Sequence, residues 1–331
     1  MRYLVTGATG FIGGRLATRL RADGHEVRAL VRARDSAPAR RLRAAGVELH
    51  EGDVTDRATL VRPMRDVDGV FHLAVARTAT ARHPDAVTQV NVAGTRHVLE
   101  VMRTAAVAKG VYTSALAING DTRGQLVDEH YRGEDPLPGA YERSKRRAHR
   151  DIVEPLLAEG LPLVVMLPGI VYGPGDRSAM RETFRQYLRG ELPMLPRNTA
   201  YCWTHVDDAV AVHLQAMACG RAGEQYIVAG PVYTIVEAFE IAARLTGIPA
   251  PALRVAPGAL RMAAAMLGVV EEGTSAPRWG RSTRRPTSGV SQLGNDAKAR
   301  RELGFEPRPL EDGLRETLFH EMHALGMRVP E

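Results

Sequence analysis

The feature that most constrains the fold lies at the amino end, where the apolar run Tyr3-Leu4-Val5 passes into Thr6-Gly7-Ala8-Thr9-Gly10-Phe11-Ile12-Gly13 and then into a helical pattern. Gly7 permits a tight strand-to-helix turn, Gly10 lets the backbone approach a pyrophosphate, and Gly13 lets the helix pack on the strand. A pyrophosphate would sit at the helix N-terminus, where free N–H groups and the dipole favour anions. Gly7, Thr9, Gly10, Phe11, Ile12 and Gly13 are therefore the first candidates for cofactor contact. Glycine-rich turns also follow buried strands in α/β proteins that hold no cofactor, so the turn needs support from the rest of the chain.

That support begins with the alternation of patterns. Strand-like runs fall near 2–6, 26–31, 47–51, 69–75, 110–114 and 162–168, with helical segments near 11–23, 56–65, 85–108 and 140–159 between them. Alternating strands and helices imply an α/β fold, a doubly wound parallel sheet of Rossmann type with ligands at the carboxyl ends of its strands. Beyond about residue 173 the pattern loosens. Gly173-Pro174-Gly175-Asp176 is a turn cluster, 192–196 is extended, and 247–258 and 273–290 are rich in turn formers. Helical patterns return near 178–190, 207–219, 234–246, 257–268, 295–303 and 310–325. This predicts a nucleotide-binding unit over 1–173 and a smaller, mainly helical substrate-binding region over 174–331. Residues 204–230 are expected to return to the main sheet through Gln225-Tyr226-Ile227-Val228, and 273–290 to form the most mobile loop.

With 44 basic and 38 acidic residues the net charge is +6, but the basic residues are scattered and lack the interleaved aromatics of a single-strand platform, so no nucleic-acid partner is expected. The two cysteines, Cys202 and Cys219, have neither metal-ligand spacing nor a disulfide framework, which predicts a reducing, cytoplasmic setting. The first apolar run is broken at once by glycines and does not read as a signal peptide, and no apolar segment reaches the ~18 residues of a membrane span. His320-Glu321-Met322-His323 lacks the spacing of a zinc protease, so no metal site is expected.

Lysine is almost absent: among the basic residues only Lys109, Lys145 and Lys298 are lysines. Lys145 follows Tyr141 by four, which on a helix puts both side chains on one face a turn apart. A phenol titrates near 10, and a neighbouring ammonium stabilises its phenolate. Bringing that pKa near 7 takes roughly 4 kcal/mol, which the lysine and a cationic nicotinamide ring together can supply.

The glycine turn Thr6 to Gly13, Gly52-Asp53-Val54, Phe71-His72-Leu73-Ala74, Val90-Asn91-Val92-Ala93-Gly94-Thr95, Tyr141-Glu142-Arg143-Ser144-Lys145, Pro168 to Asp176 and His205-Val206-Asp207-Asp208 together resemble the short-chain dehydrogenase/reductase superfamily. The likeness is to its extended or atypical branch of dihydroflavonol-reductase-like and NAD-dependent epimerase/dehydratase proteins, and it covers nearly the whole chain. The resemblance implies that Asp53 and Val54 meet the adenine, and that Leu73, Ala74 and the adjoining Val75 line the ribose–pyrophosphate path. It makes Tyr141 the proton donor and gives Lys145 a second task on the nicotinamide ribose. Pro168, Ile170 and Val171 match the segment closing over the nicotinamide, and Asn91 the helix residue that orders the site. It also suggests a homodimer through the helices near 85–108 and 140–159. Asp207 and Asp208 read as helix caps, and His72 and His205 as satisfied structural histidines.

One position departs from that pattern. The family places Ser or Thr after its fifth strand to hold the substrate oxygen, and Ala115 stands there. Ser114 is adjacent and is the catalytic candidate, although successive strand residues point to opposite faces. Thr113 shares the face of Ala115 but lies about 6–7 Å back along the strand. Either one of these hydroxyls or a water takes over the role, the substrate brings its own polar partner, or activity is reduced, since loss of one such donor lowers turnover by ~10²–10³.

At the end of the second strand, Arg32 and then Arg34 occupy the place where a carboxylate would select NAD and an arginine accommodates a 2′-phosphate. NADP(H) is accordingly favoured over NAD(H), with Asp35 as the rival. The stretch Tyr201-Cys202-Trp203-Thr204 lacks the arginine that sugar-nucleotide members carry before the histidine. Tyr201, Trp203, Met194 and Leu195 suit an apolar carbonyl compound, although aromatic and methionine residues at such spacing are more often ordinary core. The expectation is an NADP(H)-dependent reductase or dehydrogenase of a small ketone, aldehyde or secondary alcohol. A sugar-nucleotide epimerase or dehydratase, or a dinucleotide-binding regulator with weak chemistry, stands as the alternative.

Overall fold

The computed structural model describes residues 1–77, 85–137, 139–256 and 290–330. Its first half alternates β1 (Arg2–Thr6), α1 (Phe11–Ala22), β2 (Glu26–Val31), α2 (Ala37–Ala44), β3 (Glu48–Glu51), α3 (Arg57–Met64), β4 (Gly69–His72), α4 (Ala86–Thr88), α5 (Gly94–Thr104), β5 (Lys109–Thr113), α6 (Ala140–Ala148), α7 (Glu154–Ala158) and β6 (Leu163–Pro168). There follow β7 (Ile170–Tyr172), α8 (Ala179–Leu188), β8 (Met194–Pro196), β9 (Ala200–His205), α9 (Val206–Cys219), β10 (Gln225–Val228), β11 (Val232–Thr234), α10 (Ile235–Thr246), β12 (Leu253–Val255), α11 (Ala297–Leu303) and α12 (Leu310–Ala324).

Seven strands form one parallel sheet in the order β10-β6-β5-β4-β1-β2-β3. Both faces are covered, which is why β6 is buried at every residue and reads as a continuous apolar run. One face packs Leu4, Val98, Leu99 and Ile152, and the other Val5, Leu16, Val164 and Val210. The strand order reverses between β1 and β4. The crevice at the carboxyl ends of these two strands is where a doubly wound sheet binds its ligand. The doubly wound α/β fold read from the sequence is the fold observed.

β10 comes from within the second part of the chain and adds to the edge of the main sheet beside β6, in register Gln225 to Val165. The smaller part holds a three-stranded sheet, β11-β9-β7, and a two-stranded pair of β8 with β12. Its core gathers Trp203, Phe184, Tyr187 and Phe239 between α8, α10 and α12. The Thr204 hydroxyl lies 2.9 Å from both the Val228 and the Ala229 carbonyls, tying β9 to the end of β10.

Several elements differ from the expectation. The helices expected at 85–108 and 140–159 are each interrupted by a π-helical turn, at Gln89–Ala93 and at His149–Val153. Such turns occur where a side chain must be re-aimed. α2 was not expected; Ser36 caps it, with a proline in its first turn. The cap of α9 is also different: His205, not the aspartate pair, accepts from the Asp207 N–H, while Asp207 pairs with Arg15 at 2.8 Å and Asp208 with Arg308 at 2.9 Å. The helix expected near 257–268 lies outside the described residues, as does the loop 273–290 apart from Val290. Among the described residues, no helix is long and apolar enough to cross a membrane.

Candidate active site

Gly7 adopts φ +74°, and a Cβ there would stand 2.6 Å from the Leu73 carbonyl oxygen and the Ala74 nitrogen. The turn leaving β1 therefore fits against the exit of β4 only as glycine. A Cβ on Gly13 would approach the Gly7 oxygen to 2.4 Å, so this glycine sets how closely α1 packs on the turn. Gly10 caps α1 without a side chain, and the first turn carries no acid. The leading amides of α1 thus lack a side-chain cap, and the positive end of the helix faces the crevice.

These glycines line one end of a cleft of about 360 Å³. Phe11, Ile12, Leu73, Val75, Pro168, Ile170 and Val171 also line it, as do Ser114, Tyr141 and Lys145 from the opposite side. A glycine cradle, an uncapped helix start and an apolar flank fit the pyrophosphate and ring of a nicotinamide dinucleotide. Thr9, Ala74, Asp53, Val54, Arg32, Arg34 and Asn91 lie outside the cleft lining. Asp53 directs its Oδ1 to the Thr55 N–H and hydroxyl, at 2.9 and 2.8 Å. Val54 is buried against Gly94, where a Cβ would come within 2.6 Å of Val54 Cγ2. Arg32 is exposed just past β2, and Arg34 lies 3.9 Å from Glu51.

Tyr141 and Lys145 share one face of α6. Lys145 is 3% exposed, and its ammonium donates to the Thr113 carbonyl at 2.7 Å and to the Tyr112 hydroxyl at 3.0 Å. Burial pushes its pKa from 10.5 down to about 8, with Tyr141 opposing and Arg77 reinforcing the shift. Tyr112 stacks on His72, whose Nδ1 lies 2.7 Å from the Thr6 hydroxyl and whose Nε2 lies 3.1 Å from that of Thr95. Burial lowers the His72 pKa to about 3 and keeps that ring neutral. Asn91, re-aimed by its π turn, donates to the Ala76 carbonyl and the Ser144 hydroxyl and accepts from the Ala76 N–H, each at 2.8 Å. It ties the segment leaving β4 to α6, the helix that carries Tyr141.

Ala115 stands in the cleft wall with extended backbone, φ −163° and ψ 143°. The hydroxyls beside it are engaged elsewhere: Thr113 Oγ1 lies 2.9 Å from His213 Nε2, and Ser114 Oγ lies 3.2 Å from His149 Nδ1. Both histidines are buried. The π turn at His149–Val153 brings His149 to Ser114, so the hydroxyl of this catalytic candidate sits in a buried bond. Of the substrate candidates in the second part, Tyr201 lines the cleft, whereas Trp203 is buried with its Nε1 donating to the Tyr233 carbonyl at 3.1 Å. Leu195 is likewise core.

Sequence reasoning missed two residues at this site. Arg77 places its guanidinium 4.9 Å from the centre of the Tyr141 ring and also lines the cleft. Tyr112 forms the floor under Lys145. Only the register of β5, with Tyr112 and Thr113 on opposite faces, could have pointed to it.

A parallel sheet with a glycine cradle at its reversal point and a tyrosine–lysine pair beside it defines a dinucleotide-binding enzyme of Rossmann type. The chain belongs to the NAD dependent epimerase/dehydratase family, whose model matches residues 3–229. It is 31% identical over 314 residues to sterol demethylase protein B of Methylococcus capsulatus, covering 93% of this chain and 94% of that protein. It is also 31% identical over 331 residues to a putative dihydroflavonol 4-reductase of Synechocystis, covering 96% and 93%. Among solved structures, that of gox2253 superposes with a TM-score of 0.83 at 29% identity, covering 98% of this chain and 99% of that one.

Proposed function

We propose that the protein is an NADP(H)-dependent reductase or dehydrogenase acting on a small ketone, aldehyde or secondary alcohol. The observation that carries this reading is the buried ammonium of Lys145 one helical turn from Tyr141, where the cleft meets the end of β5. The glycine turn and the start of α1 would hold the pyrophosphate, and Pro168, Ile170 and Val171 would flank the nicotinamide. Bound there, the dinucleotide supplies or accepts the hydride. Tyr141 passes the proton to or from the substrate oxygen, and Lys145, with Arg77 above the ring, stabilises the phenolate form. Asn91 and Tyr112 act as positioning residues for α6 and for the ammonium. Arg32, exposed and without an ion pair among the described residues, supports NADP(H) over NAD(H), because a guanidinium binds a 2′-phosphate with charge-assisted bonds. The dihydroflavonol-reductase-like relative supports a carbonyl substrate.

A second reading, a dinucleotide-binding protein with weak chemistry, draws on Ala115 and on the engagement of the Thr113 and Ser114 hydroxyls by His213 and His149. The test is thermal-shift titration with NADP⁺ and NAD⁺, followed by a carbonyl panel monitored at the nicotinamide absorbance. Stabilisation by NADP⁺ and turnover that falls by ~10²–10⁴ in Tyr141→Phe are expected. Turnover unchanged in that variant refutes the assigned proton donor, and nucleotide binding without turnover favours the second reading.

A further inference from the structure

The reductase reading leaves part of the cleft lining without an assigned partner, two arginines above all. Arg77 and Arg177 both line it. Arg77 is exposed with its guanidinium over the Tyr141 ring, and Arg177 is exposed; neither meets a carboxylate among the described residues. Several other arginines meet carboxylates, as Arg15 meets Asp207, Arg181 meets Glu321 and Arg308 meets Asp208.

Two acids, Asp176 and Glu142, also line the cleft. Asp176 is buried and accepts from the Ser178 N–H and hydroxyl at 2.7 and 2.5 Å. Glu142 folds back over Gly139 at the start of α6, where a Cβ on Gly139 would run into its carboxylate. Among the lining residues Arg77, Lys145 and Arg177 outnumber these two carboxylates. Arg177 also sits just ahead of Ser178, the cap of α8, and there the helix dipole disfavours a cation. An unpaired arginine held against a dipole at a cleft mouth is a poor structural element and a good anion receptor. Leu116, Ile170 and Met180 make the neighbouring wall apolar.

We propose that the substrate is an apolar carbonyl compound bearing an anionic group, a carboxylate or a phosphate, which Arg77 and Arg177 receive at the outer end of the cleft. The proposal rests on the reading of this cleft as the reductase site. Its test is nevertheless one of binding, which needs no turnover.

Octanoate, octyl phosphate and the neutral octanamide are titrated calorimetrically into the protein saturated with nicotinamide nucleotide. At least one anion should bind about tenfold or more tightly than the amide, the size of one charge-assisted contact, with the gap narrowing at high salt. Arg177→Gln and Arg77→Gln should each reduce that preference, the double variant should abolish it, and Arg177→Lys should retain most of it. The stronger anion identifies the group as carboxylate or phosphate. Equal affinity for all three ligands, no anion binding, or a preference that survives the double variant overturns the proposal. A protein that prefers the anion yet reduces no carbonyl would instead refute the reductase reading alone.

Discussion

Replacing Lys145 by methionine separates what this residue does for chemistry from what it does to the fold. Burial lowers its pKa from 10.5 to about 8, so the native state resists the charge that the unfolded chain accepts freely. That difference amounts to about 3 kcal/mol of native-state destabilisation once the lysine is fully charged. The variant escapes this penalty but leaves the Thr113 carbonyl and the Tyr112 hydroxyl without their donor, which opposes the gain by roughly 1–3 kcal/mol.

The two effects nearly offset each other at neutral pH, so stability at one pH is uninformative. The pH dependence separates them. The folded pKa lies below the unfolded value, so between about 8 and 10.5 the unfolded chain binds more protons and native stability rises with pH. Above 10.5 the penalty is absent; it grows as the pH falls and is complete below about 8. Urea denaturation of the nucleotide-free proteins between pH 7.5 and 10.5 should show wild type gaining about 3 kcal/mol on Lys145→Met, since other titrations cancel in the difference. Carbonyl turnover by the variant should collapse at every pH. A wild-type minus variant difference that stays flat across this range would refute the claim that a buried ammonium is held here against its preference.

Three further outcomes are expected. Ala115→Ser restores a hydroxyl on the cleft wall and should raise carbonyl turnover by up to ~10²–10³, measured as kcat; no change would favour the weak-chemistry reading. Arg32→Glu should cost NADP⁺ affinity tenfold or more, at ~1.4 kcal/mol per tenfold, with little loss for NAD⁺, as read by nucleotide titration. Gly94→Ala forces a methyl into Val54 and should lower stability by roughly 1–3 kcal/mol in urea denaturation.

The main sheet was legible because most of its strands are largely apolar runs separated by helical periods, and burial on both faces leaves such runs little choice. The tyrosine–lysine pair was legible because helical spacing alone places both on one face. The π turns were not, since their causes are distant: Asn91 reaches the backbone of Ala76, and His149 reaches Ser114. β11 and β12 span three residues each, too few to show a period. Trp203 and Tyr201 look alike in sequence; only packing decides that both join the core and that Tyr201 also borders the cleft. Arg77 and Arg177 stayed hidden among the many arginines, because only the fold brings these two to the cleft wall.

The late arrival of β10 also bears on how the polypeptide is made. The edge of β6 that it covers stays bare until residues 225–228 have left the ribosome, more than fifty residues after β6 itself. Until then Val165 and Leu167 present an exposed, sticky strand margin of the kind that invites pairing with other chains. A fragment ending at residue 173 would keep that margin permanently, so the nucleotide cradle depends on the region that follows it to close its sheet.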